Sequence, residues 1–434
     1  MVSARAIALF VVAVSSFTFV AFFGRLPAFR NTPVGFLHRL IVIHIPSALR
    51  RLDARLTNGR ITNGGSRLGH YLMYEKHPVV LIFFLGLVSA SATLFVPAVW
   101  QYLPQRHKFL IPVLLPQPFI FTYLSARRNN KTYITQLNHA AHMRHYPYDR
   151  VLFYPGMMCG TCHMLKPPRS KHCSICKTCV SRMDHHCVWV NNCLGRGNYR
   201  WFLALLLSTT VLLAYGAYLA YTTLTPLTEA HYTKYKRWYR YEGEIDPTSW
   251  PSMFDVRLHY FLMYTSIYLE VGGLSASGVG LLALLTWPLP LGLLSYHVYL
   301  IWAGMTTNES AKWADWRDDM ADGVVFLGDR REETMHSYRA SQSPAPYSET
   351  SSTSGTPVMT PPETPPEEEE PRTTWPLESR HILIRTRDGK PPESLPPRIN
   401  IVAKDDSFKR VWNLSEVENV YDLGFWDNLM EVLK

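Results

Sequence analysis

The sequence predicts an α-helical polytopic membrane protein of about five transmembrane helices that carries a cytosolic cysteine-rich domain. Three observations predict it. Long apolar runs recur along the 434 residues. All seven cysteines fall between Cys159 and Cys193. Arginines and lysines gather in two of the segments that separate the apolar runs. A composition 47% hydrophobic and 18% charged does not decide the class, so the distribution must.

The apolar runs extend over Ile7 to Phe23, Pro78 to Trp100, Phe109 to Ala126, Trp201 to Leu224, and about Val271 to Gly304. Each is long enough to cross, or nearly cross, about 30 Å of hydrocarbon at about 1.5 Å per helical residue. The first is read as an uncleaved anchor, because no small-residue cleavage pattern follows it. The third contains Pro112, Pro116 and Pro118, which would break intrahelical hydrogen bonds unless neighbours restore them. The last is longer than one helix needs and contains Pro288 and Pro290.

Orientation follows from charge. The segment after the first run carries Arg25, Arg30, Arg39, Arg50, Arg51, Arg55, Arg60 and Arg67 against Asp53 and Glu75. From Ala126 to Arg200 there are twelve Lys and Arg, with only Asp149 and Asp184 as acids. The positive-inside rule places both regions in the cytosol, the N-terminus outside and the C-terminus inside. The link from Gln101 to Lys108 and the loop around Thr225 to Tyr260 then face the lumen. The glycan-acceptor triplets at Asn130, Asn308 and Asn413 fall on the cytosolic side.

The chain accordingly divides into membrane segments with a basic cytosolic loop (1–126), the cysteine-rich domain (127–200), and membrane segments with a lumenal loop (201–304). A cytosolic segment (305–340) follows. Residues 341–397, rich in Pro, Ser, Thr and Glu, are expected to be disordered. The aromatic-rich end (398–434) is expected to fold or dock, with an amphipathic helix near Phe425 to Leu433.

The cysteines read Cys159-x2-Cys162, then His172-Cys173-x2-Cys176-x2-Cys179, then Asp184-His185-His186-Cys187, then Cys193. Paired knuckles with nearby histidines in a reducing compartment favour zinc over disulfides. Two four-ligand zinc sites need eight groups. Seven cysteines and His163, His172, His185 and His186 are on offer, so six cysteines and two histidines would leave one thiol free. In Asp184-His185-His186-Cys187 a thiol adjoins an imidazole that could take its proton and a carboxylate that could orient the imidazole. The same residues also read as one more metal ligand with a supporting carboxylate. Lys166, Arg169, Lys171, Lys177 and Arg182 make the block basic. Tethering between membrane segments argues against nucleic acid, and phosphates of an acyl carrier or anionic lipid fit better.

The run from Cys159 to Cys193 resembles the DHHC-type protein S-acyltransferases, the palmitoyltransferases. Asn191, Asn192, Gly195, Asn198, Tyr199, Arg200 and Phe202 extend the resemblance, as does Thr306-Thr307-Asn308-Glu309, which matches the family's TTxE element. The resemblance implies two structural zincs, one on Cys159, Cys162, His172 and Cys179, the other on Cys173, Cys176, His186 and Cys193. It implies Cys187 as the acylated nucleophile, His185 as its base and Asp184 as the residue orienting His185. Thr307 would be a partner of that aspartate, and Thr306 and Glu309 would support the structure. The resemblance implies a long-chain acyl-CoA, a palmitoyl donor, as the co-substrate. The N-terminal extra run and the phrase Asn419 to Trp426 resemble the fungal Swf1-type branch. That implies an endoplasmic reticulum membrane enzyme acting on juxtamembrane cysteines, including those of SNARE proteins. A zinc-dependent hydrolase would need an open coordination position. A zinc-knuckle scaffold or adaptor would need neither the spare thiol nor Asp184.

Overall fold

The computed structural model describes residues 31–241, 243, 248–335, 371–404 and 408–434, together with Phe17, Val20, Gly24 and Phe29. The apolar run Ile7 to Phe23 therefore lies almost wholly outside the described residues. The chain is organised as two compact units, Met1–Pro112 with Leu212–Thr286, and Val113–Val211 with Trp287–Lys434.

The first unit opens with α1 (Pro33–Arg39), α2 (Ile45–Thr57) and α3 (Arg60–Tyr74). Asn58 and Gly59 take left-handed backbone and turn the chain between α2 and α3. Asp53 accepts from the Thr62 N–H at 2.7 Å, which satisfies a donor that the start of α3 leaves free. Next comes α4 (Val79–Trp100), which has no charged residue along its 22 residues. The core of the unit joins Phe95, Val99, Leu103 and Ile111 to Leu219, Ala220, Leu224 and Ala276.

The proline-rich third run resolves into α5 (Gln105–Leu114) and α6 (Gln117–Ala126). Pro116 stands at the start of α6 and Pro118 in its first turn, where a missing N–H breaks no helical bond. Among the described residues four stretches are long and apolar enough to cross a membrane: Val79–Trp100, Gln105–Ala126, Tyr199–Tyr235 and Met253–Trp302.

The polar loop expected from Thr225 to Tyr260 is much shorter than the sequence suggested. Helix α7 continues through Pro226 from Tyr199 to Tyr235, and α8 begins at Trp250 (Trp250–Gly273). Asp255, Arg257 and His259 disguised the start of α8, but Phe254, Tyr260, Phe261 and Tyr264 keep it rich in aromatics. The helix ends where Gly273 takes φ 56°, a left-handed value open to glycine. Past that break come α9 (Val279–Thr286) and α10 (Pro288–Trp302), so the last run is divided rather than continuous.

The second unit carries the cysteine-rich region. Two short antiparallel hairpins, β1 (Lys171–Cys173) with β2 (Thr178–Val180) and β3 (His186–Cys187) with β4 (Asn192–Cys193), form its frame. After α10 come α11 (Thr307–Ala321) and β5 (Val325–Asp329). Strands β6 (His381–Arg385) and β7 (Lys409–Arg410) flank β5 in an antiparallel sheet. The expectation of disorder over 341–397 does not hold at 381–385, where the Ile382-Leu383-Ile384 run is buried in that sheet. The Trp375 indole N–H donates to the Val420 carbonyl at 3.0 Å, anchoring the segment before β6. Residues 336–370 lie outside the described ones. The expected C-terminal helix is α12 (Phe425–Leu433). Its Asn428 amide donates to the Ile301 carbonyl at the end of α10, at 3.0 Å.

Candidate active site and metal centres

Antiparallel register explains how the ligand-type residues meet. His172 on β1 faces Cys179 on β2, and His186 on β3 faces Cys193 on β4. Directly paired residues present side chains on one face of a hairpin. A C-x2-C turn from earlier in the chain meets each pair, Cys159–Cys162 at His172 and Cys179, and Cys173–Cys176 at His186 and Cys193. The Cys162 N–H points at Cys159 Sγ and the Cys176 N–H at Cys173 Sγ, both at 3.4 Å. The residue after each pair, His163 or Lys177, takes positive φ (52° and 54°), which folds the turn back.

Two clusters result: Cys159, Cys162, His172 and Cys179, and Cys173, Cys176, His186 and Cys193. Each ligand of the second set lies fourteen residues after its counterpart in the first. Tetrahedral zinc with ordinary Zn–S and Zn–N lengths requires ligand atoms about 3.5–3.8 Å apart. In the first cluster His172 Nδ1 is 3.6, 3.3 and 3.9 Å from the sulfurs of Cys159, Cys162 and Cys179. In the second, His186 Nδ1 is 3.8, 3.4 and 3.5 Å from those of Cys173, Cys176 and Cys193. The donor sets and spacings fit a four-coordinate metal ion at each. His163 is exposed and belongs to neither cluster.

Sequence reasoning missed part of the support. Tyr133 donates its hydroxyl to the Asn192 side chain and accepts from the Cys193 N–H at 3.4 Å. Asn192 and Asn198 both donate to the Ser125 carbonyl near the end of α6, at 3.0 and 2.9 Å. These two buried amides tie the second hairpin to that helix.

Asp184 and His185 lead into β3, Cys187 ends that strand, and Asp184 meets the start of α11. Asp184 is 2% exposed. Its carboxylate accepts from His185 Nδ1 at 2.6 Å, from the Thr307 N–H at 2.8 Å and from the Thr307 hydroxyl at 3.0 Å. Burial would raise this carboxyl, but the hydrogen bond and charge of His185 outweigh it and hold the group below its ordinary value. Burial would lower the His185 imidazole; hydrogen bonds to Asp184 and Cys187 instead lift it to about 9. Such a group readily accepts a proton from a neighbouring thiol. Cys187 is buried and joins neither cluster among the described residues.

The Thr306 to Glu309 element does two jobs at the N-terminus of α11. Thr306 caps the helix, accepting from the Glu309 N–H at 3.2 Å, while Glu309 accepts from the Thr306 N–H at 2.9 Å. This reciprocal pair satisfies two donors and leaves the Thr307 N–H aimed at Asp184. An anion at a helix N-terminus is also favoured by the helix dipole.

Glu309 also takes two hydrogen bonds from Arg169, at 2.7 and 2.6 Å. Arg169 is 1% exposed and lies against the rings of Tyr146 and Tyr421. Arg182 is likewise buried, with Nε 3.0 Å from the Glu431 carboxylate. The expectation that Arg169 and Arg182 meet the phosphates of an acyl carrier is therefore corrected. Both charges are spent on internal carboxylates. Lys171 and Lys177 are exposed and Lys166 is half-buried. Gly304, at φ 63°, passes so close to the C-terminal segment that a Cβ would come within 2.5 Å of Asp422 Cα. Asn419 donates to the Ala303 carbonyl at 3.0 Å beside it.

Fold and site together define a polytopic α-helical membrane protein with two metal-binding clusters and one further buried thiol beside a histidine–aspartate pair. Residues 153–314 match the family described as DHHC palmitoyltransferase. The chain is 43% identical to palmitoyltransferase SWF1 of Neurospora crassa over 98% of its own length and 91% of that protein. It is 41% identical to palmitoyltransferase swf1 of Emericella nidulans over 99% and 96%. With palmitoyltransferase swf1 of Schizosaccharomyces pombe it shares 34% identity over 72% and 81%. The chain belongs to the DHHC palmitoyltransferase family. It is a protein-cysteine S-acyltransferase with a cysteine-based active site.

Proposed function

We propose that Cys187 is the residue that carries the acyl group, with His185 as its base and Asp184 as the residue that orients His185. The observation that carries this reading is the line of contacts from Thr307 through Asp184 and His185 to Cys187. His185 takes the Cys187 proton as sulfur attacks the thioester carbonyl of a long-chain acyl-CoA. A new sulfur–carbon bond forms, the bond to CoA breaks, and the CoA thiolate recovers a proton from His185. A cysteine thiol of a protein substrate then attacks the acyl-enzyme, gives its proton to His185 and leaves with the acyl group, while the proton returns to Cys187.

In this reading Cys159, Cys162, His172 and Cys179 hold one Zn2+, and Cys173, Cys176, His186 and Cys193 hold another. Bound zinc would cross-link the hairpins and supply no step of the reaction, since four protein ligands fill each tetrahedral site. Lys166, Lys171 and Lys177 would attract the phosphates of CoA, and the acyl chain would lie among apolar helices. The charge pattern supports a cytosolic site and C-terminus. Resemblance to the Swf1-type branch supports the endoplasmic reticulum membrane, a palmitoyl donor and membrane-protein substrates with juxtamembrane cysteines, SNAREs among them.

The test uses purified full-length chain and its Cys187→Ser form with radiolabelled palmitoyl-CoA. Hydroxylamine-sensitive label is expected on the first alone. Equal labelling of both would remove Cys187 from the reaction. Absence of label from both, with zinc retained, would favour a scaffold.

A further inference from the structure

His297 lies in α10, which carries no Asp, Glu, Lys or Arg, and is 1% exposed. Ionisable side chains inside membrane-spanning segments are costly and generally functional. Three contacts account for this one. His297 Nδ1 is 2.8 Å from the Tyr199 hydroxyl, at the first residue of α7. Its ring meets Phe202 edge-on, with centroids 5.2 Å apart and planes at 87°. Its ring also faces that of His185, with centroids 6.0 Å apart and planes inclined by only 22°. One imidazole nitrogen lies within 4.8 Å of ligand atoms of both Asp184 and His185.

The geometry matters because a single hydrogen bond leaves a ring one freedom. The bond from His185 Nδ1 to Asp184 fixes that edge but permits the ring to swing about the bond axis. A flat group against its face stops the swing. His297 supplies one such face, and Phe202 stands across another side, 5.7 Å from the His185 centroid at 75°. Tyr199 in turn keeps His297 from rotating away.

We infer that His297 is a positioning residue for acyl transfer: anchored by Tyr199, it holds the His185 ring in the plane that points its free nitrogen at Cys187. This inference rests on the assignment of Cys187 and His185 above. It requires the face of the His297 ring rather than a proton from it. Small misplacements of a catalytic group can slow a reaction by orders of magnitude.

The test measures single-turnover acylation of full-length reconstituted chain by palmitoyl-CoA, with zinc content determined on each preparation. His297→Ala is expected to lower the maximal acylation rate about tenfold while the acyl-CoA concentration at half-maximal rate stays within about twofold. His297→Phe, which restores a flat face without nitrogens, is expected to recover most of the rate. Tyr199→Phe is expected to fall between wild type and His297→Ala. A wild-type rate in His297→Ala would overturn the inference. So would a rate in His297→Phe as low as in His297→Ala, or an effect confined to the half-saturating concentration, which would assign the ring to acyl-chain binding. If His297→Ala does not retain two zincs, the Phe substitutions at His297 and Tyr199 decide. Cys187→Ser and His185→Ala run in parallel: activity in those would overturn the underlying assignment, whereas their inactivity beside a normal His297→Ala would overturn this inference alone.

Discussion

Thr307 grips Asp184 twice, through its backbone N–H and through its hydroxyl, across 123 residues of sequence. The N–H comes with the helix start that Thr306 and Glu309 cap, so only the hydroxyl depends on the Thr307 side chain. Thr307→Val should leave zinc content unchanged and slow acylation roughly tenfold, the scale of one hydrogen bond to a charged acceptor. Rapid-quench acylation measures it. An unchanged rate would mean that the backbone contact alone orients the aspartate.

Arg169 and Glu309 form a buried ion pair sealed by Tyr146 and Tyr421. Removing one partner leaves the other charge without compensation, a loss of about 3–5 kcal/mol. Glu309→Gln should therefore give a markedly lower Tm in detergent. Loss of activity with an undiminished Tm would place Glu309 in the reaction instead.

Among the described residues Lys171 and Lys177 have no such carboxylate partner, and both are exposed. The Lys171→Ala/Lys177→Ala double variant should raise KM for palmitoyl-CoA a few-fold without changing Tm. The difference from wild type should shrink as salt is added, because exposed charges are screened. A salt-independent change in KM would argue against phosphate contact.

Metal stoichiometry discriminates ligand from nucleophile. Wild type and Cys187→Ser should each contain two zincs, and Cys179→Ala should lose at least one and become sensitive to proteolysis. Atomic absorption and limited trypsinolysis report both. One zinc in Cys187→Ser would make that sulfur a ligand.

Asp149 makes a pH-dependent contribution to stability. Its Oδ1 accepts from the N–H groups of Val151, Leu152 and Phe153 at 3.2, 3.0 and 2.7 Å. Burial nevertheless outweighs these bonds and pushes the carboxyl up to about 6, from 3.8. A raised folded-state value means that the native protein binds the proton more tightly. That stabilisation is complete below 3.8 and is lost as pH rises through 6. Asp149→Asn keeps an acceptor and removes the charge. Its Tm should match or exceed wild type at pH 8, and wild type should gain on it between pH 6 and 4. Comparing the two proteins at each pH cancels zinc loss common to both, and a constant difference would contradict the sign.

The site was legible where chemistry leaves a spacing. Spacing showed the knuckles and one surplus thiol, the family resemblance implied which four residues go together, and the structure brings those groups of four together. Charge was a poorer guide: Arg169 and Arg182 looked like surface cations, because sequence does not show that Glu309 and Glu431 return to meet them. His297 had no signal at all, since a lone histidine in an apolar helix carries no pattern until Tyr199 and His185 are placed around it. Among the elements, composition hid the strand at His381–Arg385 inside a proline-rich stretch, and scattered charges hid the beginning of α8. Tertiary burial decided both.

The fourteen-residue offset between the two clusters has a further reach. Cys159 and Cys173 each begin a knuckle, and one more step of the same length lands on Cys187. The second cysteine of each knuckle, Cys162 and then Cys176, steps on to Val190. The chain thus repeats a metal-binding phrase twice and starts it a third time with its answering sulfur missing. Cys187 emerges beside His186 just as Cys173 emerges beside His172, but with no partner thiol to share a metal. An unfinished repeat delivers a buried sulfur that neither cluster claims, which is what the proposed acyl carrier requires.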